Sequence, residues 1–304
     1  MEVFRRTVAS LILPALAAAL VLTGGPVAAA AQAARATGAF EVTSQLGRKL
    51  YALPDDAAIG AAQRARAADP GNAKLVLALS LAQANRRQYR EAIATDTRGL
   101  RAAPRDASLL LERGHRELGL REFRAAQGDL ERAVRLDPKM LQAHYHLALA
   151  HYFQGQFAAA ATQFLRARDL ATNDDDLIDC SNWAYVSLRR AREPQAAARV
   201  LTRITSAMRN HDPHIAFYLR LIRFYQGALP ASQVQPPKPK DPNDTEAELA
   251  FDTVTYGLGN WDLYHGRRRA ALALFRQVVA GQAWNAWGFI GSETELARRA
   301  TGSR

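Results

Sequence analysis

Along the middle of the chain, apolar and polar residues are ordered on two scales. Over short stretches the apolar positions return every three to four residues, the spacing of one face of an α-helix. Those stretches then recur in phase every 34 residues. Pro70, Pro104 and Pro138 keep that spacing, as do Ala92, Ala126 and Ala160, and Tyr89, Phe123 and Phe157. Asp96, Leu130 and Phe164 form another column, as do Gly99, Ala133 and Ala167, and the small residues Ser80, Gly114 and Ala148. A fixed period of this length marks stacked helix–turn–helix units, none of which can bury its apolar face alone. The prediction is an all-α fold of helix pairs laid side by side.

Three units are plain: 73–106, 107–140 and 141–174. Each reads as two amphipathic helices joined by a short turn, at Arg86-Arg87-Gln88, Gly119-Leu120-Arg121 and Gln154-Gly155-Gln156. The Ala near the start of each second helix admits the neighbouring helix closely, and Tyr89, Phe123 or Phe157 fills the space beside the turn. Each Pro stops a helix, and the adjoining Asp or Asn can cap the next one. With these small residues, aromatics and prolines, the units resemble the tetratricopeptide repeat. The resemblance implies an α-solenoid with a C-terminal capping helix.

Outside these units the pattern is weaker. Residues 55–68 read as the second helix of a degenerate unit whose first helix lies around 44–53, making 34–72 a segment of N-terminal helices and a degenerate repeat. The spacing slips at Asn173-Asp174-Asp175-Asp176, an acidic run suited to helix capping; it lacks the alternating ligands and closing Glu of a calcium loop. Another pair spans 178–204, with Pro194 in the first turn of its second helix, so that repeats extend over 73–210. Residues 211–227 hold one helix of an interrupted repeat, and the Pro-rich linker 228–245 favours extended, solvated backbone. Within 246–304, Gly259, Gly266, Ala271 and Phe275 match the packing positions of a unit starting near Asp252. Residues 287–299 then supply the helix that covers the last face, as solenoids require.

The start of the chain changes where such a protein is expected. Arg5 and Arg6 precede an apolar stretch, 8–22, too short for an ordinary membrane span. Gly24-Gly25-Pro26 breaks it, and the small residues of 28–33 offer cleavage choices, the layout of a signal peptide over 1–33. The expected location is therefore exported, periplasmic or cell-envelope in a bacterium. An uncleaved anchor is the alternative and leaves membrane association open. Cys180 is the only cysteine, which excludes an internal disulfide. The net charge of +11 draws anionic partners. Yet the arginines outnumber the lysines 35 to 5 and spread over every repeat. They read as a solvated face, and no nucleic-acid partner is expected.

Chemistry is hard to find. No nucleophile elbow, His-Glu-x-x-His, paired Cys or phosphate-cradling Gly loop occurs. His144 and His151 lie two turns apart, whereas a chelating pair wants three- or four-residue spacing. His115 has no His or carboxylate companion at helical spacing. No catalytic residue, metal or cofactor is expected, and the chain reads as a non-enzyme. The inner face is more informative. Positions that line the concave surface in the tetratricopeptide family fall here on Tyr145, Leu149, Tyr152 and Phe153, one stripe down one helix. The equivalent positions elsewhere are Leu77, Leu81 and Leu111, then Phe217, Leu221, Phe224 and Tyr225, then Tyr256 and Tyr264, with Arg189 and Arg190 adding charge. One apolar face suffices to pair two helices, so this second stripe needs another cover: a peptide, a second subunit or neighbouring helices. The Lys and Asn of the clamp that holds chaperone tails are replaced by Leu77 and Leu81, which excludes that use.

The second half also resembles NlpI-type envelope lipoproteins, through Phe224-Tyr225-Gln226-Gly227, Phe251, Tyr256-Gly257-Leu258-Gly259, Gly266, Ala270, Leu274-Phe275 and Val278. That resemblance implies a homodimeric scaffold for peptidoglycan hydrolases, although the lipid-attachment Cys is missing. The expected function is an exported, non-catalytic adaptor binding protein or peptide partners through its concave groove. The alternatives are a homo-oligomeric assembly element without clients, and a wall-glycan-binding module using Trp261, Trp284 and Trp287.

Overall fold

The computed structural model describes residues 38–241 and 244–301; the signal-peptide expectation for 1–33 lies outside the described residues. Strands β1 (Phe40–Thr43) and β2 (Lys49–Tyr51) form a hairpin, followed by α1 (Ala57–Ala68). The repeats comprise α2 (Ala73–Asn85) with α3 (Tyr89–Ala102), α4 (Ala107–Gly119) with α5 (Phe123–Leu136), and α6 (Leu141–Phe153) with α7 (Phe157–Asp169). Then come α8 (Asp174–Arg190), α9 (Pro194–Leu201) and α10 (Ile215–Tyr225), a short 3-10 turn at Ala231–Gln233, and α11 (Thr245–Tyr264), α12 (Arg268–Val279) and α13 (Trp287–Thr301). The architecture is an all-α solenoid of helix–turn–helix pairs. Among the described residues no helix is long and apolar enough to cross a membrane.

The local chemistry accounts for the helix ends. Asn72, Asp106, Asn173 and Asp244 each accept a hydrogen bond from a first-turn N–H, occupying donors the helix leaves unpaired. Pro194 opens α9 at a position that needs no N–H donor. Inside each pair, the small positions mark where helices touch: a Cβ on Gly114 would come within 2.7 Å of Leu130 Cγ. Each turn contains one residue in the left-handed region, and in the three plain units these fall in phase at Arg87 (φ 56°), Arg121 (φ 65°) and Gly155 (φ 82°). A side chain there costs about 1 kcal/mol relative to glycine. Two of the three positions nevertheless carry Arg, and both guanidinium groups are used elsewhere in the fold.

Three expectations need correction. The helix expected around 44–53 is a hairpin, with Phe40 opposite Tyr51, Val42 opposite Leu50 and Thr43 opposite Lys49. Phe40-Glu41-Val42-Thr43 alternates with the period of a strand, Gly47 turns at φ 84°, and Ser44 Oγ accepts from the N–H groups of Leu46 and Arg48. The first helix of the last unit begins at Thr245 rather than near Asp252. The Pro-rich segment is tied to the core, since Val234 is buried and the Gln235 amide donates to Thr255 Oγ1 at 2.7 Å.

The two ends of the described chain meet. Leu50 of the hairpin shares a core with Ala84, Tyr89, Trp284 and Phe289. Arg48 donates to the carbonyls of Gly281 at 2.7 Å and Val279 at 3.2 Å, and Trp284 Nε1 donates to Tyr51 O at 3.1 Å. Helices α11 and α13 lie against the inner face of the solenoid, and this decides what the hollow can do.

Candidate functional site

Most of the stripe read as a groove is covered by the chain itself. Leu111, Tyr145, Leu149, Tyr152, Phe153, Tyr225 and Tyr256 are all buried, Leu149 completely and Tyr152 to within 1 %. Leu77, Leu81, Phe217, Phe224, Arg189 and Arg190 are partly buried. Over Tyr152 and Phe153 the cover is α11 and α13, while Tyr145 meets Asp179 of α8 at 3.1 Å. Tyr152 Oη donates to Asn260 Oδ1 at 3.1 Å and accepts from Tyr256 Oη at 3.0 Å. Arg298 donates to the carbonyls of Tyr152 and Phe153 at 3.2 and 2.7 Å, satisfying the end of α6. The physical reason for the correction is simple. An apolar stripe requires a cover, and periodicity does not say whether that cover is foreign or lies further along the same chain.

The seal is polar as well as apolar. Glu293 and Glu295 on α13 are 0 % and 2 % exposed. Arg121, from the turn after α4, pairs with Glu293 at 2.7 Å and also donates to Trp284 O at 3.0 Å. Arg190, at the end of α8, pairs with Glu295 at 2.9 Å, donates to Asn260 Oδ1 at 3.0 Å and lies 4.3 Å over the Phe157 ring. Arg87 donates to Gln282 O at 3.2 Å. The turn arginines therefore hold the C-terminal segment. Sequence reading missed Arg121, Arg298, Glu293 and Glu295; the only available signal was Arg where a turn favours glycine.

The histidines also serve packing. His144 engages Gln163 and Pro138 O at 2.7 and 3.1 Å, and His151 engages Gln156 at 2.5 Å. His115 does have a companion, from the next unit: its ring centroid is 4.1 Å from that of His146, with Trp287 at 5.2 Å. Burial lowers both imidazoles, His146 to about 4. Among the described residues no cluster of three or more His, Cys, Asp or Glu could hold a metal ion.

One part of the predicted surface remains open. Between α9 and the ends of α8, α10 and α11 runs a cleft of about 310 Å³. Pro194, Ala198 and Leu201 line one side; Tyr185, Arg189, Tyr225 and Trp261 line the other. The aromatic side is a ladder: Tyr185 stacks on Tyr225 at 4.6 Å, and Tyr225 on Trp261 at 5.8 Å with only 10° between the planes. Phe224 leans on Trp261 at 4.8 Å. Arg189 lies 4.2 Å over the Tyr264 ring and donates to Tyr185 Oη at 3.2 Å. Its other contact is His265 Nε2 at 3.3 Å. His265 Nδ1 sits 2.8 Å from Trp261 O, so the ring is held between that carbonyl and the guanidinium. Among the described residues, then, Arg189 meets a phenol, an imidazole and ring faces, and no carboxylate pairs with it. Of the predicted groove residues, Arg189, Phe224 and Tyr225 come together here, while Leu77, Leu81 and Phe217 lie elsewhere.

Residues 111–175 match the family model described as tetratricopeptide repeat. No curated protein matches the chain. Among solved structures, a tetratricopeptide repeat protein from Parabacteroides merdae is 16 % identical, with 79 % of this chain and 90 % of that one covered and a TM-score of 0.47. MamA is 19 % identical over 48 % of this chain and 83 % of its own, with a TM-score of 0.43. YrrB, described as a repeat protein of this kind with an unusual peptide-binding site, is 16 % identical over 68 % of this chain and 97 % of its own, with a TM-score of 0.35.

Proposed function

We propose that this tetratricopeptide-repeat solenoid is a non-catalytic adaptor that docks polypeptide partners at the Arg189 cleft rather than in its hollow. Repeat solenoids of this family act as protein-binding scaffolds, and the build of this chain supports the same general role. The observation that carries the finer reading is the contrast between the two surfaces. The hollow is closed by α11 and α13, whereas the cleft presents an apolar wall, an aromatic ladder and a cation with no carboxylate partner among the described residues. Export to the bacterial envelope is part of the proposal, resting on Arg5-Arg6, the apolar stretch 8–22 and the small residues that follow.

The wall-glycan reading is disfavoured by the rings themselves. Sugars stack on free aromatic faces, but Tyr185, Tyr225 and Trp261 cover one another, and Trp284 is buried in the core with Leu50. An assembly element without clients draws support from the hairpin, where Phe40, Leu46 and Tyr51 are 43–49 % exposed.

The test replaces exposed cleft residues and leaves the core intact. Ala198→Trp fills the space between the walls from a position on the surface of α9. Cross-linking in intact cells, followed by mass spectrometry of the envelope fraction, should recover partners with the native chain and lose them with the variant. Melting temperature should remain unchanged. An identical set of partners from both proteins would move the client surface elsewhere; light scattering that reports dimers lost on Phe40→Ser would favour the assembly reading.

A further inference from the structure

We infer that the occupant of the Arg189 cleft is an extended, acidic segment of a partner polypeptide, one carboxylate meeting Arg189 and an adjacent apolar side chain entering between the walls. This rests on the adaptor reading above and specifies its ligand.

Carboxylates meet several of the arginines that pack inward: Arg113 has Asp129 at 2.9 Å, Arg121 has Glu293, and Arg190 has Glu295, whereas Arg48 and Arg87 are held by carbonyl groups. Arg189, next in sequence to Arg190, instead meets a phenol, an imidazole and ring faces, with no carboxylate among the described residues. A guanidinium laid on aromatic rings keeps its charge and its forked donors, and a carboxylate is the planar acceptor that matches the fork. The nearby carboxylate of Asp262 is held by Arg267 at 2.8 Å.

About 310 Å³ is at the small end of ligand sites. That space accommodates a side chain and its neighbouring backbone, not a folded surface. The cleft opens to solvent rather than closing into a cavity, so a chain passes along it. Pro194, Ala198 and Leu201 face the Trp261 side and supply an apolar slot beside the cation.

Self-occupancy is disfavoured. The chain's own Pro-rich segment is already tied to the core through Val234 and Gln235, and a second copy brings a net charge of +11. The first is held elsewhere and the second presents like charge to Arg189, whereas an acidic partner is drawn in.

Fluorescence anisotropy with the full chain tests this directly. The probe is a short fluorescein-labelled peptide with an amidated carboxyl end and a central Glu-Leu pair in a Gly/Ser frame; the control carries Gln-Leu. The Glu peptide should bind about tenfold more tightly than the Gln peptide, and added salt should narrow the gap. Arg189→Gln should equalise the two, and Ala198→Trp should abolish both. Equal binding of Glu and Gln peptides, both lost in Ala198→Trp, would overturn the acidic ligand and leave the adaptor reading standing. Binding that appears only when the carboxyl end is free would overturn an internal segment. No binding of either peptide, with cellular partners unaffected by Ala198→Trp, would remove both readings.

Discussion

Several carboxyl groups sit where water cannot stabilise their charge. Burial pushes Asp252 up to about 9, with the neighbouring Glu248 adding to the effect, and pushes Glu117 up to about 8. Asp96, Asp179 and Glu41 are each raised to about 7, again chiefly by burial. In the unfolded chain these groups return to about 4. The folded protein therefore holds protons that the unfolded chain has released. Their stabilising effect is complete below pH 4 and is lost as pH rises through 7 to 9. Urea denaturation should give a smaller unfolding free energy at pH 9 than at pH 6. Asp252→Asn, which stays neutral throughout, should flatten that fall. A stability that rises from pH 6 to pH 9 would contradict the assignment. These groups were legible as residues but not as buried ones: Asp96 occupies a column shared with Leu130 and Phe164, and only that company hints at its burial.

At the scale of elements, the junction between the turn after α4 and the last helix matters most. Arg121 and Glu293 are 5 % and 0 % exposed at their side chains, so each depends on the other to offset its desolvation. Arg121→Met leaves Glu293 with the N–H of Gln45 as its remaining partner and should cost about 3–5 kcal/mol in urea titration. The double variant Arg121→Met/Glu293→Met should recover most of that loss, because no charge then remains stranded. The helical repeats were readable beforehand because each column is a local packing requirement repeated at a fixed interval. The hairpin was not, although Phe40 to Thr43 alternates as a strand does. Its pairing depends on Leu50 reaching Trp284 and Phe289, contacts with no local signature. The surplus stripe through Tyr145, Leu149, Tyr152 and Phe153 was also legible, but its cover was not, since α11 and α13 lie far along the chain. Arg189, Phe224 and Tyr225 were named for an inner groove; Tyr185, Pro194, Ala198 and Leu201, which complete the cleft, could be grouped with them only in three dimensions.

For the whole molecule, the C-terminal helices turn an open stack into a filled one. Substituting Tyr152, 1 % exposed and bonded to both Tyr256 and Asn260, removes core and not merely a contact surface. The cleft is different because Pro194 and Ala198 on α9, and Thr202 just beyond its end, are exposed. Linear repeat arrays usually shed their outermost units first, since an end unit has only one neighbour. Here the β-hairpin is fastened to the stretch from Val279 to Glu293, giving both extremities a second neighbour. Peeling from a free margin is thereby denied, and melting should proceed as a single event, with tryptophan emission and helical ellipticity tracing one curve. Deleting everything before Asp55 should restore the margins and split that curve in two.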